Sequence, residues 1–185
     1  MEHMDHDSLT GRTVAFLVAA DGAEQAEALE SCAAVTRAGG RAVVVHPDGE
    51  DVGRFKHLGE SADRDLSTAK VADYDALVLP GCPTDTDPLR ENPEAARFVT
   101  AFFLARKPIA AICRAPGELI DAGLVRDRML TSSPGLRDEI TEAGGVWYDY
   151  PVVVCCDGPN VLLTARGPRD LSAFCEMLVD QIARA

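Results

Sequence analysis

Short apolar segments alternate with segments of helical spacing along this chain, and that alternation restricts the fold more than any other feature of the sequence. Four segments are apolar almost throughout, as strands buried on both faces of a parallel sheet are: residues 13–20 (TVAFLVAA), 41–46 (RAVVVH), 76–79 (ALVL) and 108–112 (PIAAI). Between them, residues 24–37 and 93–105 carry apolar side chains at helical spacing. Strands that alternate with helices build a parallel sheet covered on both faces, so the sequence predicts an α/β fold with one doubly wound sheet.

The second half of the chain continues this pattern. It predicts helices at residues 116–122 and 170–183, and short strands near residues 129–131, 152–156 and 161–165. The polar, glycine-containing residues 47–70 are predicted as an excursion with short strands at most. Because 185 residues suit a single core and no repeat or linker occurs, residues 13–185 are predicted as one domain. Residues 1–12 are polar and are predicted as a flexible N-terminal tail.

The charge of the chain narrows the choice of partners. Thirty acidic against eighteen basic residues give a net charge of −12, which repels phosphate backbones, so nucleic-acid binding is not expected. No apolar segment of the chain approaches the ~20 residues of a membrane-spanning helix. The N-terminus has no apolar signal region. We therefore expect a cytoplasmic protein without membrane partners. Glycine motifs for nucleotide binding do not occur, and no cofactor is expected.

The six cysteines, without a secretory signal, indicate free thiols in a reducing compartment. None has the C-x-x-C spacing of a structural zinc site, so no bound metal is expected. Cys155 and Cys156 follow one another in an apolar strand and are expected to face opposite sides of it. Cys32 and Cys175 lie on predicted helical faces, which indicates positions in the core or at an interface.

Cys113 directly follows the predicted strand PIAAI and precedes a helix with Pro116 in its first turn. A strand, one reactive residue and a helix start are the parts of a nucleophile elbow. The helix start places N–H groups and a positive dipole near the sulfur, and Arg114 adds a fixed positive charge, so we expect the pKa of the thiol to be lowered. The alternative is that Cys113 is a small buried core residue, as free cysteines often are.

Five segments, in order along nearly the whole chain, carry a resemblance to a known family: residues 20–27 (ADGAEQAE), 73–81 (DYDALVLPG), 107–113 (KPIAAIC), 122–140 (AGLVRDRMLTSSPGLRDEI) and 164–174 (TARGPRDLSAF). In them the chain resembles the ThiJ/PfpI family of class I glutamine-amidotransferase-like proteins, and most of all its PfpI intracellular-protease branch. The resemblance implies a flavodoxin-like three-layer sandwich with a mostly parallel sheet and a strained backbone at Cys113. It also implies that the carboxyl group of Glu27 contacts the sulfur and acts as general acid and base. Backbone N–H groups of Gly81, Cys82 and Arg114 would form an oxyanion hole.

Two positions depart from the pattern of this branch. The family's cysteine is usually followed by His, whereas Arg114 follows it here and cannot act as a general base. Arg114 can instead hold a thiolate or pair with a substrate carboxylate. Ser132 and Ser133 occupy the other segment in which a family His occurs, so a Cys–His hydrolase mechanism is not favoured. Cys82 stands where relatives have glycine, either as a tolerated small residue or as a resolving thiol for Cys113 on oxidation.

Three functions stay open from the sequence. The first is a hydrolase or a glyoxalase-like or deglycase-like enzyme, in which Cys113 attacks a small carbonyl compound and Glu27 transfers the proton. The second is a redox-responsive stress protein or chaperone without turnover, whose Cys113 reacts with an oxidant. The third is an intracellular cysteine peptidase, which is disfavoured because amide cleavage needs a base that Arg114 does not supply. The resemblance also implies a homodimer or higher oligomer, in which Asp85 or Asp87 reaches across a subunit contact.

Overall fold

The computed structural model describes residues 7–19, 25–47, 62–82 and 87–185. The strands within this part of the chain are β1 (Thr13–Leu17), β2 (Arg41–His46), β3 (Ala62–Asp65), β4 (Ala76–Leu79), β5 (Ile109–Ile112), β6 (Met129–Leu130), β7 (Val146–Trp147), β8 (Val152–Cys155) and β9 (Leu162–Ala165). The α-helices are α1 (Gln25–Arg37), α2 (Pro93–Leu104), α3 (Pro116–Asp121), α4 (Arg137–Glu142) and α5 (Leu171–Ala183).

Seven of these strands form one sheet in the order β3-β2-β1-β4-β5-β9-β8. Neighbouring strands in it are parallel, except that β8 runs antiparallel to β9 at the edge. β6 and β7 form a separate parallel pair. The predicted α/β fold with a mostly parallel sheet is therefore confirmed. The carboxyl ends of β1, β4, β5 and β9 lie side by side at one edge of the sheet, which is where parallel sheets place their ligand sites.

Helices cover both faces of the sheet because successive residues of a buried strand point to opposite sides. In β1, Phe16 packs with residues of α1 and α5, whereas its neighbour Leu17 packs with residues of α2. Both side chains are fully buried. α3 and α4 join the α2 side through Leu119 and Ile140. The result is the three-layer sandwich that the sequence predicts.

Some elements differ from the sequence-based expectations. β1 ends at Leu17 rather than at residue 20. The sequence did not predict α4 and β7. α4 has only six residues, with Ile140 as its buried side chain, and β7 has only two. Both are too short to show the repeating spacing of apolar residues from which helices and strands are predicted. Residues 62–65 of the predicted excursion form β3, and residues 48–61 lie outside the described part of the chain.

Residues 7–12 pack against the sheet, although the sequence placed them in a flexible tail. Leu9 is fully buried, and its N–H donates to the carbonyl oxygen of Ala38 at 2.8 Å. The carbonyl of Arg12 accepts from the N–H of Arg41 at 2.9 Å. One apolar side chain thus anchors this segment, and the packed part of the chain begins before residue 13. In the described ranges, no helix combines the length and apolar character needed to cross a bilayer.

Candidate active site

Cys113 occupies the turn between β5 and α3 with a backbone φ of +62°, in the left-handed region that side chains rarely adopt. Hydrogen bonds to neighbouring segments hold this turn. Its N–H donates to the carbonyl oxygen of Ala165 at 3.0 Å, and its carbonyl accepts from the N–H of Ser133 at 2.7 Å. Such a conformation costs about 1–3 kcal/mol. It persists because the hydrogen bonds to Ala165 and Ser133 hold the backbone in place. Cys113 is half-buried.

Glu27 projects from the first turn of α1 and is fully buried. Its Oε2 accepts a hydrogen bond from the N–H of Gly81 at 2.8 Å. A Cβ placed on Gly81 would lie 2.5 Å from that Oε2 and 2.7 Å from Cys113 Cβ. The side chains of Glu27 and Cys113 therefore border the same point beside the Gly81 backbone. The structure brings together the two residues on which the sequence hypothesis depends, from segments that are distant in sequence.

A cleft of about 320 Å³ opens beside the Cys113 side chain. Its lining comes from the turn that contains Ser133 and Pro134, from Asp149, and from residues 166–170 after β9. Gly167 belongs to the last segment, and a Cβ placed on it would lie 3.8 Å from Cys113 Sγ. The sulfur therefore faces the Gly167 backbone across the cleft, with no side chain at that position to cover it.

Arg166 ties two segments of the cleft together. Its Nε and Nη2 donate to the carboxylate of Asp170 at 2.9 and 3.2 Å, and its Nη1 donates to Asp149 at 3.0 Å. These hydrogen bonds, first those to Asp170 and then that to Asp149, raise the pKa of the Arg166 guanidinium. Arg169 also lines the cleft and is exposed. Within the described part of the chain it forms no side-chain hydrogen bond or ion pair.

The other predicted site residues lie around this centre. Nη1 of Arg114 lies 3.5 Å from the point where a Cβ on Gly135 would be, so its guanidinium reaches the turn after Ser133 and is not among the lining groups described above. Cys82 is buried, with 2% of its surface exposed. The Gly81 N–H, expected in an oxyanion hole, is instead engaged by Glu27. The N–H groups of Cys82 and Arg114 stay a prediction for that role.

Asp87, the expected acid of a subunit contact, is engaged within its own chain. Its Oδ1 accepts from the N–H of Leu89 at 2.9 Å, and its carboxyl group lies beside that of Glu118 in α3. Burial raises the pKa of Asp87. Burial, and then the charge of Asp87, raise the pKa of Glu118 well above its ordinary value. The role of Asp87 across a subunit contact stays a prediction, and Asp85 lies outside the described residues.

The remaining cysteines are distinct from Cys113. Cys155 is buried and Cys156 is exposed, as expected for neighbours at the end of a strand. Cys32 and Cys175 are buried between α1 and α5, in agreement with a core position. Burial, followed by the neighbouring Cys175, raises the pKa of Cys32 to about 12; burial, followed by Glu30, raises that of Cys175 to about 11. Among the described residues, no three potential metal ligands come together.

Sequence reasoning did not identify Asp149, Arg166 and Arg169 as part of the cleft. Arg166 and Arg169 come to Cys113 because β9 is the parallel neighbour of β5, with Ile112 opposite Ala165, so that the residues after both strands meet. Asp149 comes to the same edge because it precedes β8, which is antiparallel to β9 with Val152 opposite Ala165. The sequence feature that could have pointed to these residues is the segment 167–170 (GPRD), which follows a predicted strand. It could not be used without the strand order, which no local pattern contains.

The sequence and the fold are both similar to those of known proteins. The sequence model of the DJ-1/PfpI family matches residues 12–181. A deglycase of Pyrococcus horikoshii is 42% identical over 121 residues, which cover 64% of this chain and 69% of that protein. General stress protein 18 of Bacillus subtilis is 33% identical over 153 residues, covering 82% of this chain and 87% of that protein. The crystal structure of Drosophila melanogaster DJ-1beta matches with a TM-score of 0.78 at 25% identity, covering 94% of this chain and 91% of that one. The chain belongs to the DJ-1/PfpI family.

Proposed function

We propose that this protein is a deglycase-like or glyoxalase-like enzyme that acts on small carbonyl compounds through Cys113 and Glu27. The observation that carries the proposal is the pairing around Gly81: a buried carboxyl group and the β-carbon of a strained cysteine border one point, next to an open cleft. A thiol for addition and a carboxyl group for proton transfer are the two groups that such chemistry requires. The family membership and the deglycase among its relatives support the same function.

The reaction follows from these two groups with an α-oxoaldehyde as substrate. The Cys113 sulfur adds to the aldehyde carbon, and the proton of the thiol passes to the oxygen of the resulting hemithioacetal. Glu27 then removes the hydrogen of that carbon as a proton and returns it to the neighbouring carbonyl carbon. The hydroxyl proton of the hemithioacetal passes to the oxygen on that neighbouring carbon, which gives the thioester of a 2-hydroxy acid. Water cleaves the C–S bond and restores the thiol. With methylglyoxal the balance is one water added and one lactate released, and no external oxidant is needed.

A carbonyl adduct of an amine enters the same sequence when the Cys113 sulfur takes the place of the amine, which leaves with a proton. Peptide hydrolysis is less well supported. It requires a base that activates water or the thiol and an acid for the leaving amine. Arg114 cannot act as that base, and Ser132 and Ser133 occupy the other segment in which a family histidine occurs. Carbonyl addition makes a smaller demand, because a thiol adds to an aldehyde more readily than to an amide, and because Glu27 supplies the transfer of a proton from one carbon to the next.

A second candidate function is a response to oxidants. Its support is the access of the half-buried Cys113 to the cleft, beside the carboxyl group of Glu27. Mild peroxide treatment is expected to add about 32 Da, for two oxygen atoms, to the peptide that contains Cys113. Cys156 is the internal reference, because it is exposed but has no such environment. Faster oxidation of Cys156 than of Cys113 would reject this second function.

We further propose that the protein works in the cytoplasm as a homodimer, with a small carbonyl compound or an oxidant as its partner and with no nucleic acid. The free thiols support the cytoplasmic location. The net charge of −12 supports the lack of a nucleic-acid partner. The exposed apolar side chains of Leu104 and Tyr150 are available for burial in a dimer. Light scattering across a range of concentrations is expected to give the mass of two chains; the mass of one chain throughout would reject the dimer.

The enzymatic proposal is tested with methylglyoxal as substrate and lactate as the measured product. The wild-type protein is expected to form lactate above the buffer rate, and Cys113→Ala is expected to lose this activity. Cys156→Ala removes a more exposed thiol outside the cleft and serves as the matched control, with wild-type activity expected. Lactate formation that survives Cys113→Ala, or a wild-type rate equal to that in buffer, would overturn the proposal.

A further inference from the structure

The cleft beside Cys113 contains two guanidinium groups with different surroundings. The guanidinium of Arg166 is engaged within the protein, since its Nε, Nη1 and Nη2 all donate to the carboxylates of Asp149 and Asp170. Its positive charge is therefore offset within the protein, and its donors hold the cleft together. We therefore assign Arg166 a structural role in holding the cleft together, and not a role in binding a substrate.

Arg169 is three residues further along, on the 3-10 turn Pro168–Asp170, and lines the same cleft. It is exposed, and in the described ranges no carboxylate pairs with it. The nearest acid in sequence, Asp170, already accepts two hydrogen bonds from Arg166. Arg169 thus presents a guanidinium with five N–H donors at the mouth of the cleft. Such a group binds carboxylate or phosphate oxygens in pairs, with specific geometry.

We propose that Arg169 selects carbonyl substrates that carry an anionic group, a carboxylate or a phosphate, by pairing with that group while the carbonyl carbon meets Cys113. The inference rests on the proposed carbonyl chemistry of Cys113 and adds the substrate class. The volume of about 320 Å³ is at the lower end of the range for ligand sites, so the substrate is a small molecule. In a protein with a net charge of −12, a local cation offsets the repulsion that an anionic substrate meets.

The test uses two alkylating reagents of nearly the same size, iodoacetate, which is anionic, and iodoacetamide, which is neutral. Their rates with Cys113 are measured in the full chain by mass spectrometry of the peptide that contains it. The ratio of the iodoacetate rate to the iodoacetamide rate is expected to fall about fivefold in Arg169→Ala, as for the loss of an exposed ion pair. Arg97→Ala removes an exposed charge outside the cleft and is expected to leave the ratio unchanged.

Cys156 provides an internal control in the same experiment, because its ratio should not respond to Arg169→Ala. An unchanged ratio at Cys113 in Arg169→Ala, or an equal fall in Arg97→Ala, would overturn the inference. This readout needs no turnover. If the wild-type protein forms no lactate from methylglyoxal but the ratio depends on Arg169, the proposed function fails and the anion site stands.

Competition distinguishes the two sources of the anionic group. Acetate and inorganic phosphate are added at matched ionic strength during alkylation of Cys113 by iodoacetate. Stronger protection by acetate assigns the carboxylate, and stronger protection by phosphate assigns the phosphate. Protection is expected to disappear in Arg169→Ala and to weaken with added salt, because exposed charges are screened. The lack of protection by either anion in the wild-type protein would contradict an anion site at Arg169.

Discussion

Replacing Gly81 by alanine is expected to break the arrangement of Glu27 and Cys113 without touching either residue. The new Cβ would lie 2.5 Å from Glu27 Oε2, 2.7 Å from Cys113 Cβ and 3.1 Å from the carbonyl oxygen of Ile112. Ordinary contacts between such atoms are about 3.5–4.0 Å. Ile112 is in a central strand and Cys113 is held on both sides by hydrogen bonds, so the Glu27 carboxyl group must move by about 1 Å or more.

That movement removes the 2.8 Å hydrogen bond from the Gly81 N–H to Glu27, which is fully buried. Overpacking of this kind costs about 1–3 kcal/mol, and a buried acceptor without its donor costs about 1–3 kcal/mol more. We therefore expect Gly81→Ala to lower the free energy of unfolding in urea by several kcal/mol. Folded Gly81→Ala is also expected to lose most of its methylglyoxal turnover.

Gly135→Ala is the matched control for this experiment. A Cβ on Gly135 would be 3.5 Å from Arg114 Nη1, which is an ordinary contact, so stability and turnover should both stay close to wild type. The reasoning would be refuted if Gly81→Ala kept the wild-type unfolding free energy and turnover. It would also be refuted if Gly81→Ala and Gly135→Ala had equal effects.

Two further predictions concern titratable groups away from the cleft. Because burial raises the pKa of Glu118 and of its neighbour Asp87, the folded state keeps a proton that the unfolded chain has lost, and stability should fall as pH rises above the ordinary carboxyl range. For one proton the slope is about 1.4 kcal/mol per pH unit; Glu118→Gln should reduce it in urea titrations, and stability that rises over this range would contradict the assignment. Because the pKa of Cys32 is raised to about 12 and that of Cys175 to about 11, iodoacetamide at pH values near 8 should label Cys113 but neither of these thiols until urea is added. Labelling of Cys32 in the folded protein at the same rate as Cys113 would contradict the buried position of Cys32.

The centre of the fold was predictable because β1, β2, β4 and β5 are almost entirely apolar. The strand Ala76–Leu79 was predicted with its exact bounds, and α2 differed by one residue. Cys113 was also identifiable, since a nucleophile elbow is a local feature. Glu27 required the family resemblance, because nothing in its own helix distinguishes it from the acids around it.

The rest of the site depends on which strands are neighbours. Arg166 and Arg169 reach Cys113 through the pairing of β9 with β5, and this pairing is a contact distant in sequence. The engagement of the Gly81 N–H by Glu27 could not be predicted for a similar reason. It depends on the distance between α1 and the end of β4, which is set by packing across the whole sheet.

The central claim is that the Cys113 thiol and the Glu27 carboxyl group act as one unit on a carbonyl substrate. The most direct measurement is kcat for lactate formation from methylglyoxal in the wild type, Cys113→Ala, Glu27→Gln and the double variant. Glutamine keeps an acceptor for the Gly81 N–H but cannot transfer the proton, so Glu27→Gln should lower kcat by about 100-fold or more. The double variant should be no slower than Cys113→Ala, as for residues that work in the same step. Wild-type kcat in Glu27→Gln, or losses that multiply in the double variant, would contradict the account.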